Sequence, residues 1–242
     1  MKPTNFYLVM QVIRYVVASL LFPVFVLAKP LVLATFPIPL MVENNDKGLF
    51  INLTKEIAKR NNRDISILVY PAGKTLLAFS NNKVDGFFPA LDVYVPKLSA
   101  RTQPFYYKVD YVFFKTNKPF RTIKDLEGKK VGLTFRYPYV KELVQNKKIK
   151  FEFASDDVLN MKKLGRGTID AFVVEERSGV KALQLSGEKG IEFDKKSPLS
   201  EQVVYYAFQD TEEGKILAEL FSKTIEGMKK DGSLSRVLTE AE

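Results

Sequence analysis

The sequence predicts an α/β fold made of two similarly built lobes. Short apolar stretches alternate with stretches of helical period along residues 29–242, as in chains of βαβ units with mostly parallel strands. The pattern TFPIP at 35–39 recurs as TFRYP at 134–138, and KVDGF at 83–87 recurs as TIDAF at 168–172. Because both patterns recur in the same order, we expect two lobes with a site in the cleft between them.

The composition is that of a folded protein with few routes to catalysis. The chain has 242 residues and a mass of 27.6 kDa; 46% of its residues are hydrophobic and 27% are charged, close to globular averages. It contains no cysteine and no histidine. Disulfides, thiolate nucleophiles, cysteine-rich zinc sites and histidine-dependent nucleophiles are therefore excluded, and catalysis is disfavoured.

The first 28 residues have the pattern of a secretory signal peptide. Lys2 and Arg14 precede an apolar run at 15–27, and Val-Leu-Ala at 26–28 suits signal peptidase. The run of about 13 residues is shorter than the roughly 20 that a spanning helix requires. We expect cleavage before Lys29 and a location in the periplasm or outside the cell; an uncleaved N-terminal anchor is the alternative.

The chain that follows this segment carries a moderate positive charge. It has 35 basic and 28 acidic residues, a net charge of +7. Its lysine pairs are dispersed along the sequence and do not interleave with an aromatic RNA-binding motif. We interpret them as solvated surface and expect no nucleic-acid partner.

A first series of elements precedes residue 115. Strands are predicted at 31–34, 65–70, 86–88 and 109–115, and helices at 52–61 and 75–82. Asn52 is the expected cap of the first helix, with Leu53, Ile57 and Ala58 on its buried face.

A second series follows residue 115. Strands are predicted at 130–133, 151–153, 171–174 and 203–208, and helices at 139–146, after 155 and after 210. Ser155 is the expected cap of the middle helix. Asp210 and Glu213 form a capping box for the last helix, which ends at Asp231-Gly232.

Six motifs follow one another along the chain: GLFINL with EIAKR at 48–60, KVDG at 83–86, PFYY at 104–107, DLEGKKVG at 125–132, GTIDA at 167–171 and MKKDGSL at 228–234. In this order they resemble the bacterial extracellular solute-binding proteins of family 3, the periplasmic amino-acid-binding proteins. The resemblance covers essentially all of residues 29–242. It implies a two-lobed periplasmic binding-protein fold of type II, with the lobes joined by two hinge strands.

The resemblance also implies how the chain is divided. Lobe one is expected at 29–114 plus 207–242 and lobe two at 115–206, with the hinge strands near 113–116 and 205–208. Ligand capture is then expected to close the lobes around the hinge.

Amino-acid-binding members of this family hold the ligand with three elements. An arginine of the first lobe pairs with the carboxylate, a glycine-threonine element of the second lobe adds donors, and an aspartate holds the amine. The corresponding positions here are Lys97, Arg136-Tyr137-Pro138 and Glu175, so the glycine-threonine element is absent. Lysine lacks the planar fork of arginine, and Arg136 could supply that fork from the opposite lobe.

The expected ligand site combines charged and aromatic side chains. It contains two cations, two anions and three aromatic rings: Lys97, Arg136, Asp92, Glu175, Phe36, Tyr94 and Tyr137.

Simpler roles stay open for some of these residues. Phe36 could belong to the core, Lys97 could face solvent, and Glu175 could form a surface ion pair with Arg177. Asp85 and Asp170, in the recurring patterns, are expected to brace strand ends rather than to touch a ligand.

On this basis we expect a monomer that captures a small polar, possibly amino-acid-like solute for the permease of an ABC transporter. No cofactor or metal is implied, since the carboxylates lack calcium-loop spacing. Two alternatives stay open. One is an enzyme resembling the cyclohexadienyl dehydratases, with Glu175 as acid or base; the other is an orphan sensor or accessory protein, which the absent glycine-threonine element favours.

Overall fold

A curled sheet of ten strands runs through the molecule in a computed structural model that describes residues 29–96 and 98–239. The predicted signal segment at 1–28 and the candidate site residue Lys97 lie outside the described residues. The mixed α/β architecture agrees with the alternation of strand and helix patterns in the sequence.

The strands and helices have the following bounds. The strands are β1 Leu31–Thr35, β2 Ile65–Val69, β3 Gly86–Ala90, β4 Ala100–Arg101, β5 Tyr106–Lys115, β6 Lys130–Thr134, β7 Lys150–Ala154, β8 Ala171–Glu175, β9 Ile191–Glu192 and β10 Ser200–Phe208. The helices are α1 Leu49–Arg60, α2 Ala72–Ser80, α3 Lys141–Val144, α4 Asp157–Arg166, α5 Glu176–Ser186, α6 Glu212–Lys230 and α7 Ser233–Val237, with a 3-10 turn at Lys124–Leu126.

The strand order β2-β1-β3-β10-β5-β8-β6-β7 has a parallel unit at each end. β1 is parallel to β2 and β3, and β6 is parallel to β7 and β8. Between these units, β10 pairs antiparallel with β5 through residues 200–204 and with β3 through residues 205–208. The chain therefore has two lobes joined through β5 and β10.

Each lobe has its own apolar core. In the first lobe α1 and α6 cover the sheet around Tyr206, Phe88 and Phe221, all fully buried. In the second lobe β8 places Phe172 and Val173 in cores on opposite faces of the sheet. Burial of each such side chain stabilises the fold by roughly 1.5–3 kcal/mol.

In each lobe the side chain of an aspartate binds the backbone at the beginning of a strand. Asp85 accepts a hydrogen bond of 2.7 Å from the backbone N–H of Val32, and Asp170 accepts one of 2.9 Å from that of Lys130. The bracing role predicted for the two aspartates is confirmed. The recurring sequence patterns mark equivalent places in the two lobes.

Three predicted helix caps are wrong. α1 begins at Leu49, not at Asn52: Gly48 precedes it with φ 132°, and a Cβ there would lie 2.4 Å from the carbonyl oxygen of Met41. Asp156, not Ser155, caps α4 by accepting from the N–H of Leu159.

At α6 the predicted capping box of Asp210 and Glu213 is replaced by Thr211, whose hydroxyl accepts from the N–H of Gly214 at 3.0 Å. α3 covers only Lys141–Val144 rather than 139–146. It is shorter because Val140 is extended, and because Tyr139 is held by its hydroxyl, which accepts from the N–H of Thr134.

The lobe boundaries after residues 114 and 206 stay predictions. β10 changes partner from β5 to β3 between residues 204 and 205, and β5 pairs with β10 over residues 106–110 and with β8 over residues 110–114. Within residues 29–96 and 98–239, no helix has both the length and the hydropathy that crossing a bilayer requires.

Candidate functional site

A cavity of about 240 Å³ lies where the carboxyl ends of the parallel strands of both lobes meet. Phe36, Ile38 and Tyr94 line it from the first lobe, and the turn at 135–138 and Glu175 line it from the second. A larger depression of about 650 Å³ lies on the first lobe beside α2 and the start of α6. The smaller cavity is the better candidate, because ligands of open α/β sheets bind at the carboxyl ends of the strands.

The two recurring turns form opposite walls of this cavity. β1 leads into Phe36 and β6 leads into Phe135, and both rings line the cavity. Phe36 is half-buried rather than part of the core, so the simpler role considered for it is not observed.

Arg136 follows Phe135 in a strained backbone conformation. Its φ is 68°, in the left-handed region, which costs a non-glycine residue on the order of 1–3 kcal/mol. Its guanidinium lies 5.3 Å from the centre of the Phe135 ring. Among the described residues no carboxylate forms a salt bridge with it. The turn thus presents an exposed cation to the cavity without a protein counter-ion.

Glu175 ends β8 and caps α5, and it is only 8% exposed. One of its carboxylate oxygens accepts from the hydroxyl of Tyr106 at 2.8 Å, and the other accepts from the N–H of Ser178 at 2.9 Å. Arg177 instead donates to the carbonyl of Leu238. The surface ion pair considered for Glu175 is therefore not observed.

Tyr106 and Tyr137 bring buried hydroxyls to the cavity. Burial, together with the charge of Glu175, raises the pKa of Tyr106. Burial and the charge of Asp157 raise the pKa of Tyr137, which donates to Asp157 at 3.2 Å. Both phenols are therefore neutral hydrogen-bonding groups at physiological pH.

Asp157 is the first residue of α4 and lies buried beneath the turn of the second lobe. Besides Tyr137, the hydroxyl of Thr134 donates to it at 2.5 Å. Burial raises the pKa of Asp157, and the two hydroxyl donors oppose that shift. The carboxylate ties the turn at 134–137 to the first turn of α4.

Lys108 lines the cavity from β5, and sequence reasoning missed it. Its ammonium pairs with the carboxylate of Asp110, which is 1% exposed. Burial raises the pKa of Asp110, and the ammonium of Lys108 opposes that shift. A signal was present in the sequence: two opposite charges flank Val109 within an otherwise apolar strand.

Tyr94 lines the cavity and Asp92 does not. The hydroxyl of Tyr94 donates to the carbonyl of Pro89 at 2.5 Å, and the residue lines the cavity. Asp92 instead accepts from Arg101 at 2.5 Å and from the hydroxyl of Tyr205 at 2.7 Å. This geometry does not support the ligand role predicted for Asp92, which stays a prediction. Lys97 lies outside the described residues, so its predicted ligand role also stays a prediction.

The structure thus brings together five of the seven predicted site residues: Phe36, Tyr94, Arg136, Tyr137 and Glu175. Within the described residues no group of three carboxylates is placed to hold a metal ion. The absence of a cofactor stays a prediction.

This architecture is that of the two-lobed periplasmic binding proteins. A substrate-binding protein of an amino-acid ABC transporter is 17% identical, with a TM-score of 0.63 over 88% of this chain and 99% of that chain. The ligand-binding core of GluR0 from Nostoc punctiforme, in complex with L-glutamate, is 21% identical, with a TM-score of 0.69 over 86% and 97%.

A histidine kinase sensor domain with similarity to periplasmic binding proteins is 18% identical, with a TM-score of 0.69 over 86% of this chain and 94% of that chain. No protein-family model matches the sequence, and no curated protein matches it. The likeness is thus one of fold, shared by binding proteins of transport and of sensing.

Proposed function

We propose that the chain is a periplasmic solute-binding protein that captures a small carboxylate-bearing, amino-acid-like solute in the cleft and delivers it to the permease of an ABC transporter. The guanidinium of Arg136, which forms no salt bridge among residues 29–96 and 98–239, is the observation that carries this proposal. A planar fork held by a strained turn is suited to bidentate contact with a carboxylate.

The rest of the cavity supports a small ligand with an apolar body. Its volume of about 240 Å³ is below the roughly 300–1,000 Å³ typical of sites for drug-sized molecules. The rings of Phe36, Tyr94 and Tyr137 provide stacking surface on both sides. The walls offer apolar contact over most of the cavity, and the charges are confined to a few positions.

Glu175 is the proposed partner of a ligand amine. Each carboxylate oxygen has two acceptor positions, and the contacts with Tyr106 and Ser178 use one on each oxygen. The second positions are available to an ammonium. Arg136 and Glu175 both belong to the second lobe and would hold one ligand from that side, and closure of the lobes around β5 and β10 would bring Phe36 and Tyr94 of the first lobe onto it.

A thermal-shift series tests the ligand class, because a ligand that binds only the folded state raises the melting temperature. L-phenylalanine carries both charged groups, 3-phenylpropionate lacks the amine and phenethylamine lacks the carboxylate. We expect the first to give the largest shift, the second a smaller one and the third none. A shift from phenethylamine alone would contradict the assignment of Arg136.

A second candidate is a sensor or accessory protein that does not serve import. Arg136-Tyr137-Pro138 replaces the glycine-threonine element expected of an amino-acid importer, and the sensor domain described above has the same fold. Uptake of a radiolabelled ligand by cells with and without the gene separates the two. Unchanged uptake, with binding retained in vitro, favours the sensor.

A further inference from the structure

The positive charge of the chain is concentrated in one part of the second lobe. Residues 115–150 contain eleven basic and three acidic residues, whereas the rest of residues 29–242 contains 24 basic and 25 acidic ones. The excess therefore belongs almost entirely to a segment of 36 residues, and the remainder of the chain is close to neutral.

The fold gathers lysines that the sequence separates. β6 and β7 are parallel, with Lys130 in register with Lys150, so their amino-terminal ends lie together. The loops before them are joined by backbone hydrogen bonds from Gly128 to Lys148 and from Lys150 to Lys129. We name this surface the basic pole; its members are Lys124, Lys129, Lys130, Lys147, Lys148 and Lys150, all exposed.

The charge of the basic pole is only partly compensated, because its six lysines lie beside the carboxylates of Asp125, Glu127 and Asp170. Lys148 forms a salt bridge of 3.2 Å with Glu127, and none of the other five lysines has one within the part of the chain that the structure describes. The nearby carboxylate of Asp125 accepts from backbone N–H groups of the preceding turn, and that of Asp170 accepts from the N–H of Lys130. In-register lysines on strands about 4.8 Å apart repel one another, so the surface favours an anionic partner.

The pole lies at the opposite end of β6 and β7 from the candidate ligand site. β6 runs from Lys130 to Thr134, and the next residues line the cavity, so about 16 Å of strand separates the two. A partner seated on the pole leaves the cleft open.

The chemistry of the pole fits a diffuse anionic surface. All six members are lysines, which are mobile point charges without the fork that recognises a single phosphate. Single-stranded nucleic acid is bound by stacking on aromatic rings. The exposed rings of Phe135 and Phe153 lie at the other end of the two strands.

We propose that the basic pole docks the protein on the headgroups of an anionic phospholipid bilayer. A lysine close to such a surface strengthens partitioning by roughly five-fold. The second lobe would then be held at the membrane while the cleft remains accessible, whatever ligand the cleft takes.

Vesicle sedimentation of the full chain tests the proposal. The vesicles are phosphatidylcholine with about 30% phosphatidylglycerol, or phosphatidylcholine alone, in low salt and in about 0.5 M NaCl, where the Debye length is about 4 Å. We expect binding to the anionic vesicles in low salt, and its loss in high salt. Binding that is equal on both vesicle types would overturn the proposal.

Two triple variants of the full chain test whether vesicle binding depends on the basic pole. Both keep residues 1–28, so any contribution of that segment to binding is the same in the two. The first variant combines Lys129→Gln, Lys147→Gln and Lys150→Gln, and it should bind anionic vesicles about 100-fold more weakly. The control variant combines Lys59→Gln, Lys83→Gln and Lys229→Gln, which remove the same charge from exposed positions of the first lobe. It should bind anionic vesicles less than about three-fold more weakly than the parent.

Equal losses in the two triple variants would show that only net charge matters and would overturn the assignment to the pole. Tighter binding of a single-stranded oligonucleotide than of anionic vesicles would overturn the choice of partner. Thermal melting serves as the folding control. We expect the pole variant to melt no lower than the parent, because its substitutions relieve repulsion between neighbouring lysines.

Discussion

The hydroxyl of Tyr106 donates a 2.8 Å hydrogen bond to Glu175, across the pairing of β5 with β8 at the centre of the molecule. Because the N–H of Ser178 holds the other carboxylate oxygen, the side chain of Glu175 is fixed before any ligand arrives. Such preorganisation reduces the entropy that binding would otherwise cost. Glu175 is thus a positioned acceptor on the wall of the candidate site.

Removing this positioning should weaken both the fold and the site. Tyr106→Phe deletes one hydrogen bond, which we expect to lower the unfolding free energy by about 1 kcal/mol. It should also weaken binding of an amine-bearing ligand several-fold more than binding of its deaminated analogue. Calorimetric titration and urea denaturation measure the two effects. Tyr107→Phe, at the adjacent exposed position, is the control; equal effects in both variants would contradict the role of Tyr106.

Arg136 should be the residue on which affinity depends most. Truncation leaves a ligand carboxylate unpaired in a closed cleft, so Arg136→Ala should cost roughly 2–5 kcal/mol, or about thirty-fold to several-thousand-fold in affinity. Arg136→Lys should also weaken binding, because the fork is lost although the charge is kept.

Calorimetric titration measures the ligand affinity of each variant, with Arg166→Ala at the exposed end of α4 as the control. Lys97→Ala tests the cation predicted for the first lobe in the same assay. Binding by Arg136→Ala within a factor of two of the parent would remove Arg136 from the site.

The protein should show no dehydratase activity. The chain has no histidine or cysteine, so proton transfer would fall to carboxylates, lysine or tyrosine alone. Incubation with prephenate or arogenate, followed by chromatography of the products, checks this. Turnover that disappears in Glu175→Gln would instead establish the enzyme alternative.

The buried Asp157 should give stability a measurable pH dependence. Burial raises its pKa in the folded state above the ordinary 3.8, so its contribution is fully present in acid and is lost as the pH rises through the folded pKa. Asp157→Asn does not titrate. The unfolding free energy of the variant minus that of the parent should therefore increase from about pH 4 upward.

Asp125→Asn provides the opposite case. Backbone donors of Arg121 and Thr122 lower the pKa of Asp125, so its contribution is present at neutral pH and is lost in acid. The unfolding free energy of Asp125→Asn minus that of the parent should therefore decrease as the pH rises. Urea denaturation at several pH values measures the free-energy difference for each variant. If the differences for Asp157→Asn and Asp125→Asn changed with pH in the same direction, the assigned contacts would be refuted.

Much of the fold could be predicted from the sequence because its signals are local. Asp85 and Asp170 repeat within short patterns, and the turns around Phe36 and Arg136 directly follow apolar strands. Strand order along the chain then places these turns at the same edge, where the structure brings them together.

The missed features depend on distant parts of the chain. Lys108 reaches the cavity only because β5 crosses between the lobes, and Asp92 is engaged by Arg101 and Tyr205. The start of α1 directly after Gly48 depends on the close approach of Gly48 to Met41. None of these contacts has a periodic signature in the sequence.

The pairing of β10 with β3 limits the order in which the chain can fold as it emerges, amino terminus first. Phe208 lies against Gly86, so the inner edge of β3 has no strand partner until more than a hundred further residues have been made. The βαβ units of residues 130–175 are consecutive in the chain and can form sooner. The second lobe is therefore completed first, and the open edge of the first lobe is the part of the nascent chain most exposed to wrong pairing.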